Sequence, residues 1–212
     1  MENKITPHKE QEEFLNNHTA RFMFASGGIN SGKTTLGFIW LIEEIKKHDG
    51  KGDYLVIAPN NNSISVLLQH YRIKKLFTDK LPYSGKWIKT NPRYQLESGG
   101  TVYFRSAKTD FTNIKPNAIY LDECGMMHKE HLIKVKKIMG NETRMLIGSS
   151  PYISCDWIDE FIEQSKTNSE YFHKSISSVM NPTTNKDFVE EEKRQLESWE
   201  FKARYLGEHS HK

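Results

Sequence analysis

Apolar residues along this chain gather in short runs that are nearly continuous and rich in β-branched or aromatic side chains. The four clearest runs cover residues 21–26, 54–59, 118–123 and 144–150. Strands buried on both faces, as in a parallel sheet, show this pattern rather than a strict alternation of apolar and polar positions. We therefore predict four buried parallel strands.

Helical spacing separates these runs. Residues 33–48, 63–77 and 129–139 each place apolar side chains three and four positions apart, as Leu36 and Ile39 do. Alternating strands and helices predict an α/β fold, with a mostly parallel central sheet and helices on both of its faces.

One stretch departs from this alternation. Residues 85–106 have the pattern of two strands around Ser98-Gly99-Gly100, which predicts an antiparallel hairpin inserted into the sheet.

The end of the chain has a different character from the rest. Residues 181–208 follow a helical pattern after Pro182, which predicts a small helical lid. We find no internal repeat or Pro/Ser-rich linker. The expected organisation is a core over residues 1–180, followed by a lid or linker segment over residues 181–212.

Composition narrows the class of protein. Hydrophobic residues make up 36% of 212, enough for one core of good size. No apolar run approaches the roughly 18 residues of a membrane span, and the first residues lack a signal-peptide core, so neither a membrane partner nor secretion is expected. Cys124 and Cys155 have no C-x-x-C spacing, which favours a reducing, intracellular setting without a disulfide framework.

The charge balance does not by itself indicate nucleic acid. The net charge is only +3. Local basic clusters occur at residues 71–77, 86–94 and 134–140, where solvated helix faces are the simpler explanation.

A glycine-rich turn lies between the first predicted strand and the first predicted helix. It matches G-x-x-x-x-G-K-[ST], the phosphate-binding (Walker A) motif, and its strand–helix context is the one that this motif requires. Glycines let backbone N–H groups converge on an anion, to which the helix start adds its dipole. A turn that only connects strand and helix is disfavoured, because the lysine and threonine are also present. The predicted ATP-binding residues here are Gly27, Gly28, Ile29, Asn30, Ser31, Gly32, Lys33, Thr34 and Thr35.

An acidic pair ends the third apolar run, in the manner of a Walker B motif. We predict that Asp122 holds Mg²⁺ together with the Thr34 hydroxyl. We predict that Glu123 accepts a proton from the water that attacks the γ-phosphorus, with Lys33 as the second catalytic residue. A pair that merely caps the following turn is disfavoured by the preceding strand and the phosphate loop.

Two further positions are weaker candidates. Ser149 and Ser150 end the fourth run, where they either couple to the γ-phosphate or form an ordinary Ser-Pro turn; the sequence leaves both open. Gln11 precedes the first strand and is a candidate for hydrogen bonding to adenine.

Taken together, these motifs resemble the ATPase domain of the large terminase subunit of tailed bacteriophages. Beyond the two nucleotide motifs, the similarity includes a glycine hairpin, a phenylalanine–arginine strand, a Ser-Ser-Pro coupling motif and a closing signature. The glycine hairpin and the phenylalanine–arginine strand lie at residues 97–108, the coupling motif at 149–151, and the closing signature at 181–182 and 203–208. Two further matches lie at residues 58–60 and 113–127.

The resemblance implies a P-loop NTPase fold of the ASCE type and Mg²⁺-dependent hydrolysis of ATP to ADP and phosphate. It also implies that hydrolysis moves a lid, and that a ring of identical subunits drives double-stranded DNA into viral procapsids. The implied partners are DNA, a portal and a small terminase subunit, in the host-cell cytoplasm. The basic clusters then become candidates for sequence-independent phosphate contacts.

Two departures from the family pattern stand out. Many relatives carry an arginine in the phosphate loop, where this chain has Ile29 and Asn30. The positive charge that stabilises the transition state, the role of an arginine finger, would then come from Arg105, from Lys115 or from a neighbouring subunit. Full terminases also continue into a nuclease domain. The sequence stops at Lys212, so we expect no nuclease activity from it, whether it is an excised domain or a natural ATPase-only protein.

Two other functions fit the sequence less well. A helicase-like DNA-dependent ATPase outside packaging would need further helicase motifs and a second α/β domain. A nucleotide-binding regulator with poor hydrolysis is disfavoured by the intact Lys33, Asp122 and Glu123.

Overall fold

The computed structural model of the chain describes residues 5–151 and 156–209. The strands are β1 (Phe22–Gly27), β2 (Asp53–Ala58), β3 (Gly85–Ile88), β4 (Arg93–Leu96), β5 (Thr101–Ser106), β6 (Pro116–Leu121), β7 (Arg144–Ser149) and β8 (Tyr171–Ile176). The helices are α1 (Lys9–Leu15), α2 (Lys33–Lys47), α3 (Asn61–Gln69), α4 (Tyr71–Lys80), α5 (Lys129–Ile138), α6 (Asp156–Thr167), α7 (Lys186–Gln195) and α8 (Ser198–Phe201).

Within these ranges the strands form one sheet of eight, in the order β3-β4-β5-β2-β6-β7-β1-β8. Pairing is parallel from β5 to β8 and antiparallel between β3 and β4 and between β4 and β5. The four predicted strands are β2, β6, β7 and β1, which occupy consecutive central positions. The predicted α/β fold with a mostly parallel sheet is confirmed.

The inserted hairpin has one strand more than predicted. β4 and β5 are the pair around the Ser98–Gly100 turn, in which Gly99 has a φ of 104°. β3 adds a third, antiparallel strand at the sheet edge. Its four residues are only partly buried or exposed, so its sequence lacks the apolar run that marks the central strands.

Two other elements differ from the sequence expectation. The predicted helix over residues 63–77 is two helices, because His70 takes an extended backbone conformation between α3 and α4. Strand β8 was not predicted; it lies at the other edge of the sheet, and only its last residue, Ile176, is fully buried. Because both edge strands carry polar side chains, the pattern of apolar runs did not identify them.

Two apolar layers hold the sheet between its helices. One joins the sheet to α1–α4 and includes Phe38, Trp40 and Tyr120. The other joins it to α5 and α6 and includes Ile147 and Trp157. Successive strand residues point to opposite faces, so that Tyr120 on β6 faces α2 whereas its neighbour in sequence faces α5 and α6.

The C-terminal segment packs as a small separate cluster. α7 and α8 follow Asn185, and a π-helical turn, Lys202–Leu206, completes the segment. Val189, Phe201 and Tyr205 form its apolar centre.

The expectations about a membrane span and about disulfides can be compared only with the residues that the structure describes. Among the described helices, none is both long enough and apolar enough to cross a lipid bilayer. Cys124 is buried, and Cys155 lies outside the described residues, so the expected absence of a disulfide framework stays a prediction.

Candidate active site

The predicted phosphate loop lies where predicted, between the end of β1 and the start of α2. Gly32 has a φ of +85° at the N-cap of α2, a left-handed backbone conformation that residues other than glycine rarely adopt. Lys33 and Thr34 open the helix, and the first amides of a helix have no acceptor within it. Several loop amides, those of Ile29 and Ser31 among them, donate to backbone carbonyls, so the N–H groups available to an anion and the positive dipole end are those of the helix start.

Lys33 spans the inside of the loop. Its Nζ donates to the carbonyl oxygens of Gly27 and Gly28 at 3.0 and 3.1 Å and lies 3.8 Å from Glu123 Oε1. Burial lowers the pKa of the lysine, an effect opposed by the carboxylates of Glu123 and Asp122. The ammonium group is therefore held in the loop by two neutral carbonyl acceptors and by the more distant Glu123 carboxylate.

The C-terminal segment and Ser178, which precedes it, lie against the outer side of the loop. The Ile29 amide donates to Arg204 O at 2.6 Å, and the Ser178 hydroxyl donates to Ile29 O. Next to them, Asn181 Nδ2 donates to Asn30 O. These contacts fix the outer side of the loop.

Gln11 holds the remaining part of the loop. Its Nε2 donates to Ser31 O and Gly32 O at 3.4 and 3.2 Å, and its Oε1 accepts from the His8 amide at 3.2 Å. Both ends of the side-chain amide are thus in use. The structure places Gln11 beside the loop, as the nucleotide-binding prediction required, but gives it the contacts of a loop clamp rather than a free edge for adenine.

Asp122 lies at the carboxyl end of β6, beside the first turn of α2. Its Oδ1 accepts from Thr34 Oγ1 at 3.1 Å and from Tyr120 Oη at 2.5 Å. Burial raises the pKa of Asp122 to about 6, and the nearby Glu123 carboxylate adds to the rise. The predicted pair of magnesium ligands, Thr34 and Asp122, is therefore brought together.

Glu123 is the next residue in the chain, but its side chain points toward Lys33. Its backbone is left-handed, with a φ of 47° and a ψ of 46°, and its side chain is 35% exposed. Ser150 Oγ donates to Glu123 Oε2 at 3.5 Å, while Ser149 Oγ accepts from the Gly125 amide at 2.9 Å. The two serines thus contact the turn that carries the acidic pair.

Beside a cavity of about 290 Å³ that is lined by Thr34, Asp122 and Glu123 among others, two larger cavities open along the loop. One of about 630 Å³ is lined by Lys33, Thr34, Glu123, Arg72 and residues of α7. A neighbouring one of about 450 Å³ is lined by Gln11, Gly32, Thr35, Tyr71 and Asn181 among others. They lie side by side along the phosphate loop, and each combines polar and charged groups with an exposed aromatic ring, Phe188 in the first and Tyr71 in the second.

The candidate finger residues lie away from this site. Arg105 is on β5, four positions from β1 in the sheet order, and is buried with its Nη1 donating to Pro92 O and Phe104 O. Lys115 immediately precedes β6, at the end of that strand opposite Asp122. The structure does not bring either residue to the loop of its own chain. A role for Arg105 in a neighbouring subunit's site stays a prediction.

Sequence reasoning missed several residues of the site. Arg72 on α4 lines both of the larger cavities, and Ser178 and Asn181 contact the loop from a distant part of the chain. No spacing in the sequence identifies them. Tyr120 was detectable, because it lies two residues before Asp122, which directly follows the strand, and alternate residues point to the same face.

Comparisons with known proteins point to one class of fold. No protein-family model matches the sequence, and no curated protein matches it significantly. Among solved structures, the large terminase of a thermophilic bacteriophage superposes with a TM-score of 0.72 at 15% identity, over 96% of this chain and 54% of that one. The large terminase ATPase domain of Thermus phage P74-26 gives 0.64 at 16% identity, over 97% and 94%.

A helicase is more distant. The UvsW helicase of bacteriophage T4 gives a TM-score of 0.54 at 12% identity, over 81% of this chain and 61% of that one. The chain spans about half of the thermophilic bacteriophage protein but nearly all of the P74-26 domain. It therefore has the fold of the ATPase domain of phage large terminases, as its motifs predicted.

Proposed function

We propose that this chain is the ATP-hydrolysing motor domain of a terminase-like protein that moves double-stranded DNA into viral procapsids. The observation that carries the proposal is one assembly: Lys33 and Thr34 at the helix start lie within contact distance of Asp122 and Glu123. It lies at the carboxyl ends of the parallel strands of a sheet with the terminase ATPase fold.

The loop suits a triphosphate. The Ser31 hydroxyl is buried and has no hydrogen-bond partner within residues 5–151 and 156–209, so a phosphate oxygen would satisfy it. Lys33 would exchange its carbonyl acceptors for phosphate oxygens, which are stronger partners because they are charged. The large terminase of the thermophilic bacteriophage has been crystallised with ADP and with ATP-γ-S, which supports nucleotide binding by this fold.

Magnesium fits the oxygen ligands that are present. The Thr34 hydroxyl and the Asp122 carboxylate are hard donors 3.1 Å apart. Burial makes the Asp122 charge costly, as its raised pKa shows, and a bound cation would offset that cost. Bound there, Mg²⁺ would neutralise charge on the β- and γ-phosphate oxygens.

Glu123 would act on the attacking water. Its left-handed backbone turns the carboxylate away from Asp122 and toward Lys33, and its partial exposure leaves room for water. Ser150 would fix the carboxylate, and Lys33 would stabilise charge on the γ-phosphate.

The C-terminal segment would transmit the outcome of hydrolysis. The carbonyl of Arg204 contacts Ile29 and the side chain of Asn181 contacts Asn30, so a change of loop conformation on nucleotide exchange would move the segment as a lid. The resemblance and the shared fold support a working ring of identical subunits. They also support three partners: double-stranded DNA, a portal and a small terminase subunit.

The test is ATP turnover with and without linear double-stranded DNA. We expect magnesium-dependent hydrolysis that DNA stimulates. Glu123→Gln should still bind nucleotide but lose about 100-fold or more in turnover, because the proton acceptor is removed. Glu130→Gln is the matched control, since Glu130 is exposed on α5, and it should keep the normal rate.

Two results would contradict the proposal. Equal rates with and without DNA would remove the motor function and leave a generic hydrolase. Normal turnover by Glu123→Gln would show that another group accepts the proton.

A further inference from the structure

We propose that Tyr120 is a positioning residue for the magnesium-binding carboxylate of Asp122, and that Gly37 is a glycine in order to seat the Tyr120 ring. The inference rests on the proposed function and deepens it. It adds to the site two residues, one on β6 and one on α2, that would not contact the nucleotide.

The backbone of Tyr120 is fixed in the middle of the sheet. β6 lies between β2 and β7, where Tyr120 pairs with Val56 on one side and Leu146 on the other. Its side chain is fully buried and makes an edge-on contact with Phe38, with ring centroids 5.6 Å apart. The hydroxyl therefore has one accessible position.

Gly37 provides the space for the ring. A Cβ at Gly37 would lie 2.1 Å from Tyr120 Cζ and 2.3 Å from Cε2, closer than any side chain permits. Glycine in a helix interior costs roughly 0.5–1 kcal/mol relative to alanine, and the ring explains why α2 carries it here. α2 is also the helix whose first turn holds Lys33 and Thr34. The packed ring thus sets the separation between the phosphate loop and the acidic strand.

The hydroxyl then orients the carboxylate. Tyr120 Oη and Thr34 Oγ1 both donate to Asp122 Oδ1. Within the described ranges no protein donor bonds to Oδ2, which leaves that oxygen for the hydration shell of a cation. Bonds of this kind behind a metal ligand fix its orientation, and losing one typically weakens metal binding.

The test is the magnesium dependence of nucleotide binding, followed by the fluorescence of mant-ADP at graded MgCl₂ concentrations and in EDTA. Tyr120→Phe keeps the ring and removes the hydroxyl. We expect the Mg²⁺ concentration at the midpoint to rise about 10- to 100-fold, with binding in EDTA unchanged. Tyr54→Phe is the matched control, because Tyr54 is equally buried but its hydroxyl bonds to Lys51 O; it should leave the midpoint unchanged.

Gly37→Ala gives an independent variant, since it keeps the hydroxyl and displaces the ring; it should raise the same midpoint. An unchanged midpoint in folded Tyr120→Phe or Gly37→Ala would overturn the inference, even with a lowered melting temperature, because a purely structural role predicts that result. Wild-type protein without any mant-ADP binding would instead contradict the proposed function.

Discussion

Asp122 and Glu123 are adjacent carboxylates with opposite surroundings. Asp122 is buried beside the first turn of α2 and accepts hydrogen bonds from the hydroxyl groups of Thr34 and Tyr120. Glu123 is partly exposed and faces Lys33. The difference comes from one left-handed residue at the end of a buried strand. One carboxylate is thereby suited to hold a cation and the other to accept a proton.

His173 on β8 should make stability depend on pH. Its ring stacks on Phe24, its Nε2 lies 2.8 Å from Ser26 Oγ, and burial lowers its pKa to about 4, with a smaller effect of the nearby His209 ring. Below about pH 6.5 the unfolded chain binds a proton that the folded chain does not. The free energy of unfolding should therefore fall as pH drops from 6.5 to 4, by up to about 1.4 kcal/mol per pH unit.

Urea unfolding of His173→Gln at several pH values checks this. The variant should show a shallower loss of stability between pH 6.5 and 4 than the wild type. His18→Gln, at an exposed position, should keep the wild-type slope. Identical slopes in all three proteins would show that His173 is not the group responsible.

Among helices and strands, the sequence was most informative where burial is complete. β1, β2, β6 and β7 are apolar on both faces, and the loop and acidic pair lie at their carboxyl ends, so both could be predicted. β3 and β8 are edge strands with polar side chains, and their pairing depends on neighbours distant in sequence. For the same reason Ser178 and Asn181 could not be assigned to the loop, since only the folded chain brings them there.

A charged network joins α2 to β7 and should be important for stability. Glu44 is buried and accepts from Arg144 Nη1 and from Lys47 Nζ, and the Arg144 guanidinium also donates to Ala20 O at 2.9 Å. Glu44→Gln should lower the free energy of unfolding by about 3 kcal/mol, because it leaves the Arg144 charge without its counter-charge.

Glu43→Gln on the same helix is the comparison for this prediction. Glu43 is half exposed and pairs with Lys46 at 2.9 Å, so its loss should change stability by less than about 1 kcal/mol. Urea unfolding measures both variants. Equal losses would show that the buried network contributes no more than a surface pair.

For the molecule as a whole, the two ends of the described chain meet at the phosphate loop. α1 contacts it through Gln11, and the C-terminal segment contacts it through Asn181 and Arg204, next to the contact of Ser178. A nucleotide at this loop would therefore touch the element that closes the fold. This arrangement gives the proposed motor a direct route from phosphate binding to movement of the lid.

The most direct test of this account is a calorimetric titration of the protein with ATP-γ-S in the presence of MgCl₂. We expect saturable binding by the wild type and its loss in Lys33→Ala, which removes the cation at the centre of the loop. Exposed Lys74→Ala on α4 is the control and should bind as the wild type does. An absence of binding to the wild type, or unchanged binding to Lys33→Ala, would contradict it.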